Sequence, residues 1–250
     1  MLEFRLCDSS HIRAACNHIE VTHMRFVAEA RMAAPITGYF GYISSNGNTT
    51  VLAELRNSRT NSVLAAFTYH FDSKLKATSH EPIVLPGYAG AKGITDGPLP
   101  YVNCTLETAY ACGFVTTGKG VIQDEECDSS GYLMPHHYMG RSSDSMPNLW
   151  AIINQDNTRG TGESGGAVLE YRMNHYSLLK GGDRFVLVSG FYNLGDKTEH
   201  MIHLMFNPET EKMVIGSESV GINMDLVARK AVSIPPERRA LIENSLLRQP

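Results

Sequence analysis

The stretch that decides the fold is ECDSSGYLMPHHYMGRSSDSMPNLWA, residues 126–151. Its first part is rich in Asp, Ser, Gly and Pro, which is typical of a loop. In its second part, apolar residues and serines recur at helical spacing, which predicts a central helix of about 15 residues. That spacing is carried by Met139, Ser142, Ser143, Met146, Leu149, Trp150 and Ile153. Pro147 lies inside this helix and is expected to kink it.

Strand-like segments surround the helix. One precedes it, at residues 113–122 (GFVTTGKGVI), and each segment is bounded by Gly, Asn, Asp or Pro. Four follow it, at residues 166–179, 183–195, 197–207 and 212–224. The second half of the chain therefore reads as one strand, a helix and four strands.

The N-terminal part repeats the four-strand plan, with predicted strands at residues 18–30, 37–47, 49–58 and 62–72 and a tight turn at Asn46-Gly47. The last hairpins align without gaps: NSRTNSVLAA (57–66) lies on NPETEKMVIG (207–216), an offset of 207 − 57 = 150. In both, Asn and Thr are expected to stabilise the turn through bonds to the backbone. Asn-x-x-Thr is an ordinary turn sequence, but the shared strand order favours a duplication.

The composition excludes several classes of protein. The chain has 250 residues, 42% hydrophobic and 19% charged, and a net charge of −4, which is typical of a soluble globular protein and leaves no basic patch for nucleic acid. Five widely spaced cysteines without a Cys-x-x-Cys pair argue against a disulfide framework or a zinc knuckle. No signal peptide or membrane span is apparent, so a cytoplasmic location is expected.

Three pieces of the chain resemble the hotdog-fold acyl-CoA thioesterases (double-hotdog, 4-hydroxybenzoyl-CoA thioesterase-like). In residues 126–139, Asp128, Gly131 and Tyr138 fit the segment before the family's central helix, whereas Tyr132 replaces its usual His. Residues 140–151 resemble the start of that helix, and residues 223–235 (NMDLVARKAVSIP) resemble the closing strand and tail.

The resemblance implies an α+β protein with two tandem hotdog folds, each a central helix wrapped by an antiparallel sheet. The expected domains are a partial N-terminal repeat (1–72), a Gly/Pro-rich linker (73–112) and a complete C-terminal repeat (113–250). The residues before position 18 are too few for both an initial strand and a helix, so the first repeat is expected to lack them. We hypothesise that Met1 lies within or just after the missing helix, which a mass measurement on the native protein can test.

The resemblance also implies a catalytic site. Backbone N–H groups at the start of the central helix would polarise the thioester carbonyl, because they have no intrahelical partner and the helix dipole favours an oxyanion. These donors are expected near Tyr138, Met139 and Gly140. The candidate base or nucleophile is Asp128 or Asp144, and His137 could orient water. Each also has a possible non-catalytic role: Asp128 as a turn residue, Asp144 as a solvated residue near the helix start, and His137 as a structural loop residue.

Four residues are expected to bind substrate: His136, Tyr138, Arg141 and Asn148. Arg141 could instead pair with Asp144, or be an ordinary surface charge, and Asn148 could bond Asp144. No cofactor is expected apart from the CoA moiety of the substrate. No metal site is expected either, since His200 and His203 would point to opposite faces of a strand.

The motif TGESGGAV (161–168) contains a Gly-x-Ser-x-Gly centred on Ser164. An α/β-hydrolase needs a strand before this serine and a helix after it, and here polar turn formers precede it while a strand is predicted to follow. A chymotrypsin-like serine hydrolase stays open as a third alternative. The main alternative to an acyl-CoA thioesterase is a non-catalytic hotdog that binds acyl chains or partners. The expected partner is an acyl-CoA, with no nucleic acid or membrane, and homo-oligomers are possible.

Overall fold

The computed structural model describes residues 19–45, 48–71, 88–94, 97–153 and 164–249. The predictions for residues 1–18, 46–47, 73–87 and 154–163 lie outside these ranges. The first half contains four strands: β1 (Ile19–Phe26), β2 (Ile36–Ser45), β3 (Asn48–Asn57) and β4 (Val63–Phe71). A short helix, α1 (Leu106–Ala111), follows.

The second half contains β5 (Val115–Val121), a 3₁₀ turn (Asp124–Glu126), α2 (Pro135–Ile153), β6 (Ser164–His175), β7 (Arg184–Leu194), β8 (Thr198–Asn207), β9 (Lys212–Asp225), β10 (Lys230–Ala231) and α3 (Pro236–Glu243). The predicted order of one strand, a helix and four strands is confirmed. Within the described ranges, no helix is long and apolar enough to cross a membrane.

The ten strands found in the described ranges belong to one antiparallel sheet, in the order β2-β3-β4-β1-β6-β9-β8-β7-β5, with β10 on β9. The two halves meet where β1 pairs with β6 and Met24 lies opposite Tyr171. Met24 belongs to the same core cluster as residues of the second half such as Leu187 and Met205. The sheet and its core therefore run across the boundary between the halves.

The central helix α2 begins at Pro135, four residues before the predicted start. Proline suits the first helical position, because its missing N–H would have no partner there. The buried face comprises Tyr138, Ser142, Ser145 and Leu149, whereas Ser143 is exposed. This face packs on β5 and β7, and α3 packs beside it, with the Arg238 guanidinium 4.0 Å from the centre of the Trp150 ring.

The other face of β7 and β8 is covered by α1 and the segment before it. Val188, Ile202 and Leu204 are fully buried there. Because both faces of these strands are covered, their sequences are nearly continuous apolar runs rather than alternating ones.

The aligned hairpins have the same turn. Asn57 Oδ1 accepts hydrogen bonds from the N–H groups of Arg59 (2.9 Å) and Thr60 (3.2 Å). At an offset of 150, Asn207 Oδ1 accepts from Glu209 (2.9 Å) and Thr210 (3.3 Å). The residue that ends each turn, at 61 and 211, has a positive φ of 55° and 56°. The predicted capping role of these two asparagines is confirmed.

Candidate active site

The loop before the central helix folds back on itself like a small hairpin. The Asp128 N–H donates to the Tyr132 carbonyl at 2.8 Å, and Cys127 pairs with Leu133. Gly131 has a φ of +80°, which glycine adopts without strain. The Met134 N–H donates to the Glu126 carbonyl at 3.0 Å, so the loop is bonded to the residue that precedes α2. These bonds fix Asp128 at the tip of a hairpin whose base adjoins the helix start.

The Asp128 carboxylate is half-buried and supports its own turn. Its Oδ1 accepts hydrogen bonds from the N–H groups of Ser130 (2.8 Å) and Tyr132 (3.1 Å). This is an Asx-turn, which is the non-catalytic role that the sequence also allowed for Asp128. The described bonds all end on Oδ1, so the orientation of the carboxylate is fixed while Oδ2 is not used by the turn.

The earlier helix start changes which N–H groups are free. An α-helix leaves the N–H groups of its first four positions without intrahelical partners, here residues 134–137. Met134 donates to Glu126 and His137 donates to the Met134 carbonyl at 3.0 Å, while Pro135 has no N–H. The His136 N–H is thus the donor at the helix start. It lies two to four residues, or about half a turn to one turn, before Tyr138, Met139 and Gly140, where the donors were predicted.

Charged and imidazole groups cluster around Glu126. Its Oε2 accepts a hydrogen bond from Arg141 Nη2 at 2.5 Å, and its Oε1 lies 3.9 Å from His137 Nδ1. The rings of His136 and His137 are 4.1 Å apart. Desolvation and the neighbouring His136 lower the pKa of His137, which keeps its ring neutral near pH 7. Arg141 also lies 4.5 Å from the centre of the Phe185 ring, so the suggested pair with Asp144 is replaced by one with Glu126.

Other predicted site residues lie away from this cluster. Asp144 is exposed and follows Pro135 by nine residues, about 13 Å along the helix axis. Asn148 donates from Nδ2 to the Thr117 carbonyl on β5 at 2.7 Å rather than to Asp144. A Cβ placed on Gly140 would meet no heavy atom of the described residues within 4 Å, so packing there does not require glycine.

Tyr138 is a core residue, which corrects its assignment to substrate binding. Its side chain is fully buried, and its hydroxyl accepts a hydrogen bond from the Leu179 N–H at 3.0 Å. Desolvation raises the pKa of Tyr138 to about 12.

A buried polar cluster beneath α2 was not predicted. The His203 ring lies between Ser189 Oγ (2.8 Å from Nδ1) and Ser219 Oγ (3.3 Å from Nε2), and Ser189 Oγ is 2.8 Å from Thr117 Oγ1. Burial lowers the pKa of His203 to about 4. Ser217 and Ser219, which alternate along β9, were the feature of the sequence that could have indicated this cluster. The prediction treated them only as part of a strand.

Comparison with known proteins bears on the fold. No family model and no curated protein matches the chain. Among solved structures, a Lactobacillus plantarum protein provisionally named an oleoyl thioesterase is similar over 82% of this chain and 75% of its own, with 12% identity and a TM-score of 0.55. The chain has the hotdog fold.

Two further solved structures resemble parts of this hotdog chain. A 1,4-dihydroxy-2-naphthoyl-CoA thioesterase from Synechocystis is 11% identical over 53% of this chain and 97% of its own, with a TM-score of 0.47. A Staphylococcus aureus protein, whose structure was determined in complex with CoA, is 15% identical over 55% of this chain and 87% of its own, with a TM-score of 0.49.

The position of Ser164 in the hotdog sheet shows whether it can be a catalytic nucleophile. This residue is the first of β6, where it pairs with Asp225, and a strand follows it as predicted. A nucleophile elbow requires a helix after the serine, and a chymotrypsin-like enzyme requires β-barrels rather than one open sheet. The rejection of an α/β-hydrolase therefore stands, and the chymotrypsin-like alternative is wrong.

Metal-ligand geometry is not found among the described residues, where no three His, Cys, Asp or Glu side chains could hold one ion. His203 lies beneath the central helix of the hotdog, whereas His200 points from β8 to the other face. Two open clefts, of about 350 and 420 Å³, lie at the far end of α2 and beside α1, and neither includes Asp128.

Proposed function

We propose that the chain hydrolyses acyl-CoA thioesters to a free acid and CoA at the start of α2. The observation that carries the proposal is the bonded hairpin before α2, which holds the Asp128 carboxylate near its tip and joins the helix start at its base. The hotdog fold adds support, because the similar Lactobacillus plantarum protein is provisionally named an oleoyl thioesterase. The reaction requires a group that polarises the carbonyl and a base or a nucleophilic carboxylate.

Each residue near the helix start has a proposed task. The His136 N–H, with the dipole of α2 behind it, donates to the thioester oxygen as negative charge develops there. Asp128 uses Oδ2 to activate water or to attack the carbonyl carbon, while Oδ1 stays in the turn. His137 remains neutral and orients the water, and Arg141 holds Glu126 so that the imidazole stays in place.

We further propose that the chain consists of two tandem hotdog repeats, of which the first is partial. The strand order β1-β4-β3-β2 in one half matches β6-β9-β8-β7 in the other. The turns at Asn57 and Asn207 have the same hydrogen bonds and the same positive-φ position. The proposed units are residues 1–72, 73–112 and 113–250. A cytoplasmic location and association into homo-oligomers complete the proposal.

The test measures the release of free CoA thiol from a panel of saturated, unsaturated and aromatic acyl-CoAs. Asp128→Asn is the informative variant, because an amide keeps the Oδ1 acceptor of the Asx-turn and removes the charge. We expect it to lower kcat by about 100-fold or more. Asp144→Asn is the matched control and should keep the full rate. No turnover with any acyl-CoA, or equal rates for the two variants, would contradict the catalytic assignment.

A second candidate function is acyl-CoA binding without turnover. It is favoured by the use of Asp128 as a turn residue and by Tyr132 in place of the family's usual His, with the Lys180 ammonium 4.9 Å from the centre of its ring. Titration calorimetry on the same panel distinguishes the two. Tight binding of an acyl-CoA with no thiol release, unchanged in Asp128→Asn, selects this second function.

A further inference from the structure

Two cysteines flank the short helix α1. Cys104 comes just before the N-cap Thr105, and Cys112 is the C-cap residue. Both are free thiols and both are nearly buried, with 8% and 5% of their surface exposed. They line the same open cleft of about 420 Å³, together with Tyr101, Ala111 and Gln249. The two cysteines thus line one cleft that is open to solvent.

The two side chains are close to each other. Both belong to one core cluster, and burial together with the neighbouring Cys112 thiol raises the pKa of Cys104. Cys127 is different, because it packs against another core cluster and its thiol donates to the Gln123 carbonyl at 3.5 Å.

The backbone around the pair is fixed. A capping box between Thr105 and Thr108 holds the first turn of α1. The Arg248 N–H donates to the Cys112 carbonyl at 2.9 Å, and the Tyr101 hydroxyl donates to the Arg248 carbonyl at 2.9 Å. These bonds fix the backbone at both cysteines.

We propose that Cys104 and Cys112 form a dithiol site that is oxidised to an internal disulfide by a small-molecule disulfide of the glutathione type. One thiol loses its proton to solvent, and the thiolate attacks a sulfur of the small disulfide. That S–S bond breaks, and the leaving thiolate takes up a proton. The second cysteine thiolate then attacks the mixed disulfide, the Cys104–Cys112 bond forms, and a second small thiol leaves. Two protein thiols are oxidised and one small disulfide is reduced to two thiols.

The reaction should be slow at neutral pH and faster in alkali. The thiolate is the attacking species, and burial raises the pKa of Cys104.

The experiment uses the full chain with Cys7, Cys16 and Cys127 changed to Ser, so that only the pair remains. After incubation with oxidised glutathione at pH 8, intact mass and peptide mapping should show the loss of two hydrogens, no retained glutathione and a 104–112 cross-link. Adding Cys104→Ser or Cys112→Ser should leave one retained glutathione instead. Retained glutathione on the pair variant, or two unreacted thiols, would overturn the proposal.

A second measurement tests the proximity without oxidation. Phenylarsine oxide, which bridges two neighbouring thiols, should bind the pair variant at one equivalent and bind neither single-cysteine variant tightly. The same peptide mapping on the unaltered chain guards against misfolding of the variants. Equal arsenical binding to the pair and the single-cysteine variants would also overturn the proposal. Both readouts are independent of acyl-CoA hydrolysis.

Discussion

Tyr138 illustrates what a single residue's sequence context can and cannot tell. It matches a motif position, and the motif suggested a role in substrate binding. The structure places its ring in the core, with its hydroxyl bonded to the Leu179 N–H. Leu179 is 41 residues away along the chain, so no local pattern could identify this partner. A buried tyrosine with a bonded hydroxyl is a structural residue.

Removing that hydroxyl should destabilise the fold. In Tyr138→Phe the Leu179 N–H stays buried and loses its acceptor, which should lower the free energy of unfolding by about 1–3 kcal/mol. Urea unfolding at 25 °C measures the change. Tyr110→Phe is the control, because Tyr110 is 44% exposed and its hydroxyl meets only the Thr116 hydroxyl at 2.8 Å. Equal losses in the two variants would contradict the proposed cost.

At the scale of elements, the contact between α2 and the sheet is partly polar. Ser142 and Ser145 are buried on the helix, and His203, Ser189 and Ser219 are buried on the strands below it. The sequence pattern predicted the helix and the strands but not this interface, because the partners come from strands distant in the chain. The hydrogen bonds of the His203 ring to Ser189 and Ser219 give this interface between α2 and the sheet a specific geometry that apolar contacts alone would not give.

Stability should therefore fall in mild acid. Burial lowers the pKa of His175 and of His203 to about 4, against 6.5 for an unperturbed histidine. Above pH 6.5 both rings are neutral in the folded and unfolded states, so they make no difference to stability. As the pH falls from 6.5 to about 4, the unfolded chain takes up protons that the folded chain does not, and unfolding becomes easier. The loss is roughly 3 kcal/mol for each histidine.

Urea unfolding midpoints at pH 7 and pH 5 check this prediction. His203→Asn should show a smaller fall between the two pH values than the unaltered chain. The control His70→Asn, which changes an exposed histidine on β4, should show the same fall as the unaltered chain. A fall that is unchanged in His203→Asn would contradict the assignment.

The connection between the halves is bonded to the sheet by buried charges. Glu170 accepts hydrogen bonds from the N–H groups of Lys92 (2.6 Å) and Gly93 (2.5 Å). Glu54 accepts from the Ala89 N–H at 3.0 Å, and Arg172 donates to the Gly97 carbonyl at 2.8 Å. Composition alone predicted a linker over this stretch. These bonds attach its described part to strands of both halves of the sheet.

Glu170→Gln should weaken this attachment. The amide presents an N–H₂ group where one carboxylate oxygen now accepts, so at least one buried bond is lost, at a cost of about 1.5–3 kcal/mol in unfolding free energy. The exposed control Glu209→Gln, whose carboxylate lies 3.6 Å from Arg184, should change it by less than about 1 kcal/mol. Chemical denaturation of both variants gives the comparison, and similar losses would contradict the role of Glu170.

At the scale of the whole molecule, the sheet continues from one half to the other through β1 and β6. A core cluster includes Met24 from the first half, with Phe26 and Phe67 packed against it. Separation of the halves would break a strand pair and expose this cluster. The two halves are thus expected to act as one folding unit.

Unfolding should accordingly be a single transition. Hydrogen exchange followed by mass spectrometry across a urea series should give the same midpoint for peptides from β3 and from β8. The fluorescence of Trp150, the single tryptophan of the chain, should change at that midpoint too. Two separate midpoints would show that the halves unfold independently.

The sequence by itself determined the order of strands β1 to β9, the place of the central helix among them and the two turns stabilised by Asn57 and Asn207. These features depend on alternation, helical spacing and turn chemistry over a few neighbouring residues, which are local properties. The helix start was missed by four residues because helical spacing is a weak guide to a boundary. Pro135, which does suit the first helical position, lies outside the spaced residues that defined the prediction.

Only the tertiary structure decided which polar residues are functional candidates and which belong to the core. Asp128 holds its own turn in the loop before α2, Asp144 faces solvent, Tyr138 is buried, and Arg141 pairs with Glu126. Folding also places Cys104 and Cys112 in one cleft. The environment of a polar side chain is set by groups that folding brings from distant parts of the chain. Burial and hydrogen bonding, not residue type, decide what such a side chain can do.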